Sequence, residues 1–286
     1  MTSIFKQYIS FHNKYVKQYG KKVLVLMQVG SFYEAYATED NGPNLSEISK
    51  LLNVIRTRRN KTVNEISENN PYMLGFPTVS IQKYLEILLS DFYQVVVVDQ
   101  NGKDRVVSQS YSYGTYIDNT DRKNSNYIVC VYIVKEPQQQ GSLLYCSGMT
   151  SIDLSTNQII MHEAYSNNID VNYSLDEIYR FIEQYNGELI ICYNNKDEED
   201  YILNYLDLEK NKCQFIPDDN KLVHKLSYQN ELLSVIYKQT ILSPIEYLNL
   251  ENKPYSLVSF MYLIQFINNR NKDLLNNLTK PLFFND

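Results

Sequence analysis

Histidine and cysteine are scarce in this chain of 286 residues: three histidines, His12, His162 and His224, and four cysteines, Cys130, Cys146, Cys192 and Cys213. The cysteines are far apart and show no Cys-x-x-Cys spacing, so the sequence offers no zinc set, and buried free thiols in a reducing compartment are what remain. No apolar run approaches the ~18 residues of a membrane span. The opening MTSIFKQYIS has no signal-peptide core, and no arginine precedes Arg56, which argues against a mitochondrial presequence. A soluble intracellular protein is therefore expected, in a compartment the sequence does not name. None of the nine glycines begins a G-x-x-x-x-G-K-[ST] loop, which excludes a visible means of holding ATP phosphates. Glycine and proline are few, nine and eight, against 26 tyrosines and abundant Asn, Lys and Ile. Such usage reflects an A- and T-rich coding sequence and carries no mechanism.

Hydrophobic residues make up 44% of the chain, enough for ordinary globular cores, and the length predicts about two domains. The net charge of −6 counts against nucleic-acid binding until its distribution is considered. Residues 1–63 hold ten Lys or Arg and four Asp or Glu, a balance of +6, which leaves 17 basic and 29 acidic residues, or −12, for residues 64–286. An asymmetry of this kind predicts one nucleic-acid face and a remainder that is solvated or faces protein.

The basic part also carries the most informative stretch, VLVLMQVGSFYE from Val23 to Glu34. Val23 to Met27 has the length of a buried strand, and Gly30 breaks the pattern at a turn. On an extended segment Phe32 and Glu34, two residues apart, share a face, which sets an aromatic wedge beside a carboxylate. A plainer reading packs Phe32 and Tyr36 into a small sheet and leaves Glu34 solvated at its edge.

Four blocks in order resemble the N-terminal mismatch-recognition domain of the MutS family: Gly30-Ser31-Phe32-Tyr33-Glu34, LLNVIRTRR from Leu51 to Arg59, PYMLGFPTVSIQKYLEILL from Pro71 to Leu89, and VVVVDQ from Val95 to Gln100. Ser31 stands where most bacterial members carry aspartate, and Thr78-Val79 replaces a Tyr-His pair, so the minor-groove contacts of that pair do not carry over. RVVSQSYSYGT, from Arg105 to Thr115, resembles the basic strand and turn that close the family's first domain, with Tyr113 in place of a proline. The resemblance implies that Phe32 wedges into the minor groove at a mispaired base and that Glu34 hydrogen-bonds the displaced base. It also implies that Arg56, Arg58, Arg59 and Lys61 grip the DNA backbone. Arg58 and Arg59 have a second reading, a solvated basic edge that blocks aggregation.

The fold expected is α/β: a mixed-sheet recognition domain over 1–118, a ribonuclease H-like connector over 119–250, and the helical start of a lever domain over 251–286. Helices are predicted over Ile4–Tyr19, over Leu45–Leu52 with Asn44 as N-cap, and over Ser80–Leu89. A strand is predicted over Val54–Arg59, a loop over Asn60–Asn70 and a boundary in the polar segment Asn101–Asn126. Beyond it come strands at Tyr127–Val134 and Ser142–Ser147, joined by a turn over Gln138–Gly141. A hairpin from Ile152 to Ala164 follows, then a helix, a strand at Glu188–Tyr193, another helix, and a mostly helical stretch from Asn220. MTSIDLS, from Met149 to Ser155, resembles a connector strand of the family.

The resemblance further implies either a longer parent protein, whose remaining parts bind ATP and Mg²⁺ and dimerise, or a naturally short relative, and for this chain itself no cofactor, no metal and no catalytic residue is expected. The apolar stripe Leu257, Phe260, Met261, Ile264 and Ile267, close to the end of the chain, points to an absent partner on that view. Partners implied are double-stranded DNA with mismatches or small loops and a repair protein docked through the connector. Two rival functions remain: a protein-interaction module without mismatch binding, and a nuclease using Asp153 with Glu163, Asp176 and Glu183, although their spacing singles out no carboxylate cluster.

Overall fold

A computed structural model describes residues 3–102, 104–116, 126–137, 141–193, 198–209, 213–238 and 241–284. The chain divides into two units, Met1–Tyr113 and Gly114–Asp286. The expected boundary at 118/119 and most of the predicted turn at Gln138–Gly141 lie outside the described residues.

The first unit begins with helix α1 (Ile4–Tyr19), capped where the Ser3 side chain accepts from the Lys6 N–H at 3.2 Å and ended at Gly20, whose φ of 89° few other residues adopt. Its buried residues Phe5, Tyr8, His12 and Tyr15 recur at three and four and form one face. There follow β1 (Val23–Val29), β2 (Phe32–Ala37), α2 (Leu45–Leu52), β3 (Thr57–Arg58), β4 (Tyr72–Pro77), α3 (Ile81–Ser90), β5 (Gln94–Asn101) and β6 (Asp104–Tyr111). The sheet order is β3-β4-β2-β1-β5-β6, with β1 and β5 parallel and the other pairs antiparallel. Val23 to Met27 are all buried because β1 lies inside the sheet and both of its faces are covered. Tyr36 meets Tyr8 edge-on at 5.5 Å on the α1 side, while Tyr33 and Phe76, on the alternate face, pack toward Tyr84 of α3.

The strand predicted over Val54–Arg59 shrinks to Thr57–Arg58. The residues before it are used to close α2: Asn53 adopts a left-handed φ of 51° and the Val54 N–H bonds the Ser49 carbonyl at 3.0 Å. The polar segment after Asn101 opens with β6, an edge strand paired to β5, where the resemblance of Arg105–Thr115 to a basic strand and turn places one.

The second unit contains β7 (Tyr127–Pro137), β8 (Leu143–Asp153), β9 (Gln158–Tyr165), α4 (Tyr173–Gln184), β10 (Glu188–Tyr193), α5 (Glu199–Tyr205), β11 (Cys213–Pro217), α6 (Leu226–Ile236), α7 (Pro244–Tyr247), α8 (Pro254–Asn268) and β12 (Leu282–Phe283). Its sheet runs β11-β10-β7-β8-β9-β12: an antiparallel meander β7-β8-β9, with β10 and β11 added in parallel on one side and β12 on the other. Sequence patterning splits β8 into two pieces around Gly148. The strand is in fact continuous, and from Leu144 to Asp153 every residue is buried, so no alternation marks it. Gly148 is required there by close approach, since a Cβ on it would fall 2.0 Å from the Tyr255 carbonyl carbon at the start of α8. The strands β11 and β12 are also absent from the sequence reading, being too short for a periodic signal.

Helix α8 is apolar nearly all round and buried against the β7-β8 face of this sheet, so the stripe assigned above to an absent partner is covered within the chain. Three of the four acids weighed for a nuclease, Asp153, Glu163 and Asp176, have other tasks. Asp153 accepts from the Asn126 and Ser155 N–H groups and from the Thr156 hydroxyl at 2.9–3.0 Å, which builds the β8-β9 turn. Glu163 accepts two N–H bonds from Tyr255 and Ser256 at the start of α8, and Asp176 accepts from the Tyr205 hydroxyl. Among the described residues no group of three His, Cys, Asp or Glu is placed to hold a metal ion, and no helix is long and apolar enough to cross a membrane.

Candidate nucleic-acid interface

The hairpin β1-β2 turns through Gly30 and Ser31, with Val29 opposite Phe32. Gly30 has φ 60°, the positive value that a two-residue hairpin loop demands at its first position. The turn is clamped to the end of β5. The Gln100 side chain accepts from the Gly30 N–H at 3.2 Å, while the Gln28 side chain accepts from the Gln100 N–H at 2.9 Å and donates to the Gly30 carbonyl at 3.1 Å. On the β4 side the Thr78 N–H bonds the Ser31 carbonyl at 2.9 Å. A loop held on both sides presents its first strand residue in a defined place.

That residue is Phe32, which is 44% exposed although it is a large aromatic at the start of a strand whose later residues are mostly buried. Its neighbour Tyr33 points the other way, buried, with its hydroxyl donating to Asp99 at 2.7 Å. Strand alternation then sets Phe32, Glu34 and Tyr36 on the α1 face, as the period-2 reading requires. Across the ladder Glu34 faces Gly75, and a Cβ there would meet Glu34 Cγ and the Tyr33 carbonyl oxygen at 3.0 Å each. The missing side chain leaves the floor on which the glutamate lies. The buried Tyr36 hydroxyl donates to Glu34 Oε2. Burial first, then the Glu34 carboxylate, push the Tyr36 phenol well above its ordinary 10.0, against opposing pulls from Arg59 and Arg105, so it stays a proton donor at any physiological pH.

The basic residues run from Arg56, just before β3, through Arg58 on β3 into the loop after it. The Arg56 guanidinium stacks on the Tyr72 ring at 4.2 Å and donates to the Ser46 hydroxyl at 2.7 Å. Arg58 is turned into its own loop, donating to the Asn64 side chain at 2.8 Å and to the Asn64 and Lys61 carbonyls. Arg59 and Lys61 are exposed, and neither side chain has an ion pair or hydrogen bond among the described residues. Arg58 pairs with Tyr72 and Phe32 with Pro77, so five residue steps along β4 and two strand spacings separate the basic edge from the wedge. At about 3.4 Å per residue and about 4.8 Å per strand this is roughly 20 Å, within one ~34 Å turn of duplex.

Phe32 and Glu34 are legible in the sequence, but the groups that seat them are not. Gly75 and Gln100 fall inside the blocks Pro71–Leu89 and Val95–Gln100 without a visible task there, because their partners lie on other strands. The Tyr36 hydroxyl was open to detection: it continues the i, i+2 series of Phe32 and Glu34.

Residues 2–120 match the family model described as MutS domain I. Over 310 residues the chain is 34% identical to a putative DNA mismatch repair protein, a mutS homolog of Acanthamoeba polyphaga mimivirus, a match that covers 98% of this chain and 28% of the viral protein. This chain belongs to the MutS family. It is also 28% identical over 189 residues to the DNA mismatch repair protein MutS of Thermodesulfovibrio yellowstonii, covering 63% of this chain and 19% of that protein. A mitochondrial DNA mismatch repair protein mutS homolog of Sarcophyton glaucum is 21% identical over 340 residues, with 100% of this chain and 33% of the coral protein covered. The chain thus spans about a third or less of the MutS relatives it matches. In this family member the MutS domain I model covers the whole first unit, including the clamped hairpin with Phe32 and Glu34.

Proposed function

We propose that this MutS-family chain recognises mismatched or small-loop double-stranded DNA, with Phe32 as the wedge and Glu34 as the hydrogen-bonding partner of the displaced base. The observation that carries the reading is the exposure of Phe32 at a hairpin clamped from both sides, beside a carboxylate on the same face. A ring inserted into the minor groove unstacks a base step and kinks the duplex, and a mismatch lowers that cost because its pairing and stacking are already impaired. Glu34 carries a negative charge toward phosphates. Perfect duplex offers no displaced base to offset that repulsion, so the charge sharpens discrimination. Arg59 and Lys61 supply sequence-independent, salt-sensitive attraction to the backbone, with Arg56 and Arg58 shaping the same edge.

In this reading the second unit is a ribonuclease H-like connector. Its support is the strand order, a three-stranded antiparallel meander extended by two parallel strands. The recognition domain is taken as 1–118 and the connector as 119–250; residues 251–286, expected to start a lever, pack onto the connector's sheet through α8 and β12. The parent is a DNA-dependent ATPase that binds ATP and Mg²⁺ and dimerises through parts beyond this chain, and a repair protein docks on the connector. The alternative, an interaction module without mismatch binding, draws on Ile169 and Val171, which stand 98% and 52% exposed in the loop before α4.

The deciding experiment measures binding of the full parent protein to a duplex with one mismatch and to its perfect counterpart, at two salt concentrations, for wild type and Phe32→Ala. A mismatch preference that vanishes with Phe32→Ala while weak salt-sensitive binding persists supports the wedge. No preference in wild type, or one retained by Phe32→Ala, turns the reading toward the interaction module.

A further inference from the structure

The positive charge of the first unit is not concentrated on the edge that carries Arg56, Arg58, Arg59 and Lys61. Residues 34–63 hold five Lys or Arg and four Asp or Glu, a balance of +1, whereas residues 1–33 hold five lysines and no Asp or Glu, a balance of +5. Resting on the DNA-binding part of the reading above but not on the wedge, we propose that the outward face of α1 and the turn after it make a second, sequence-independent contact with duplex phosphates through Lys14, Lys17 and Lys21.

Helical spacing sets Lys6, Ser10, Asn13, Lys14 and Lys17 on the side away from the buried Phe5, Tyr8, His12 and Tyr15, and all five are exposed. Two of the lysines in residues 1–33 are already compensated, Lys6 by Glu68 at 3.4 Å and Lys22 by Asp91 at 3.1 Å. Lys14, Lys17 and Lys21 have no carboxylate partner among the described residues, and Lys14 only lies over the ring of its neighbour Tyr15 at 5.0 Å. Lys17, in the last turn, suits the negative end of the helix dipole. That accounts for one lysine, not for three with no acid among them, and Lys14 and Lys17 repel each other at a spacing of three. A row of phosphates relieves that repulsion. The two lysines lie about 4.5 Å apart along the helix axis, against about 3.4 Å of axis per phosphate on one DNA strand, and the exposed Ser10, Asn13 and Gln18 beside them can donate to phosphate oxygens. Every exposed residue of α1 is polar, so the face lacks the aromatic or aliphatic anchor that a protein partner would need. The placement also suits DNA. Tyr8 packs on Tyr36, so α1 covers the side of the sheet that Phe32 shares, and the Lys6–Glu68 pair ties the start of the helix to the loop that carries Lys61.

The test measures binding of the full parent protein to a mismatched duplex and to its perfect counterpart over a series of salt concentrations. It compares wild type with a triple variant, Lys14→Gln, Lys17→Gln and Lys21→Gln, and with the matching triple arginine variant. Glutamine, arginine and lysine have similar helix propensities, so α1 stays folded in both. Loss of three phosphate contacts should reduce the slope of log K against log salt by about two to three and lower affinity for both duplexes alike, on the order of tenfold or more at low salt. The ratio between the duplexes should not move, because phosphate contacts carry no base information. The arginine variant should keep the wild-type slope, since it keeps the charge. A wild-type slope in the glutamine variant overturns the proposal and returns these lysines to a solvated face, and a loss shared by the arginine variant overturns it as well. The wedge stands or falls separately, because Phe32→Ala acts on the ratio and the glutamine variant on the slope. No mismatch preference in wild type, together with a reduced slope in the glutamine variant, removes the wedge and leaves the α1 contact in place. A wild-type protein that binds neither duplex removes both.

Discussion

Glu34 lies across Gly75, with its Cγ only 3.0 Å from where a Cβ on that glycine would sit. The glycine φ is not positive, so backbone freedom is not what selects it; the absence of a side chain is. Gly75→Ala should therefore push Glu34 off its seat and overpack the β2-β4 ladder, at a cost of about 1–3 kcal/mol. Denaturant unfolding would give the stability change, and mismatch binding should weaken more than binding to perfect duplex. An alanine variant with both unchanged would mean that the seat is soft.

The clamp on the hairpin gives a separate expectation. The Gln100 side chain accepts from the Gly30 N–H, and the Gln100 backbone N–H donates to the Gln28 side chain. Gln100→Ala should cost only about 1 kcal/mol or less of global stability, because the bonds are solvent-exposed. Hydrogen exchange at the Gly30 amide should accelerate several-fold and mismatch affinity should fall. Unaltered exchange at Gly30 would show that backbone pairing alone holds the turn.

His12 makes the first unit sensitive to mild acid. It is buried, its Nδ1 has no hydrogen-bond partner among the described residues, and burial holds its pKa below the ordinary 6.5. The unfolded chain then binds the proton more readily than the folded one, so stability is intact above 6.5 and declines as the pH falls through that value. Unfolding free energies measured between pH 7.5 and 5 should decrease for wild type, and the slope should flatten in His12→Gln. A slope that is the same in both would assign the acid sensitivity to other groups.

Ser151 is 1% exposed in the middle of β8, opposite Val129 and Ile160, and its hydroxyl has no partner among the described residues. A buried hydroxyl without a hydrogen bond costs about 1–3 kcal/mol. Ser151→Ala is expected to stabilise the protein by about 1 kcal/mol in thermal or denaturant unfolding. Destabilisation instead would reveal a hydrogen bond that the strand environment supplies.

Composition and periodicity were enough for the elements with one buried face. The three- and four-residue recurrence of Phe5, Tyr8, His12 and Tyr15 marks α1, and the short apolar run Val23–Met27 marks β1. A period of two also sets Phe32 and Glu34 on one side of a strand, a property of the chain's own stereochemistry that needs no neighbour. The limits appear where burial is two-sided or where partners are remote. The strand β8 carries no alternation because helices cover both faces of its sheet, so patterning ends one strand at Ser147 and starts the next at Ile152. The apolar stripe of α8 says that something must cover it, but only packing decides that the cover is this chain's own β7-β8 face.

The same division runs through the site. Local alternation and residue type are sufficient to predict an aromatic beside a carboxylate. That the aromatic is exposed, that Gly75 makes room for the carboxylate and that Gln100 holds the turn 70 residues away all follow from strand register and helix packing. Contacts between residues distant in the chain arise from how elements pair in space, and one-dimensional patterning carries no record of that pairing.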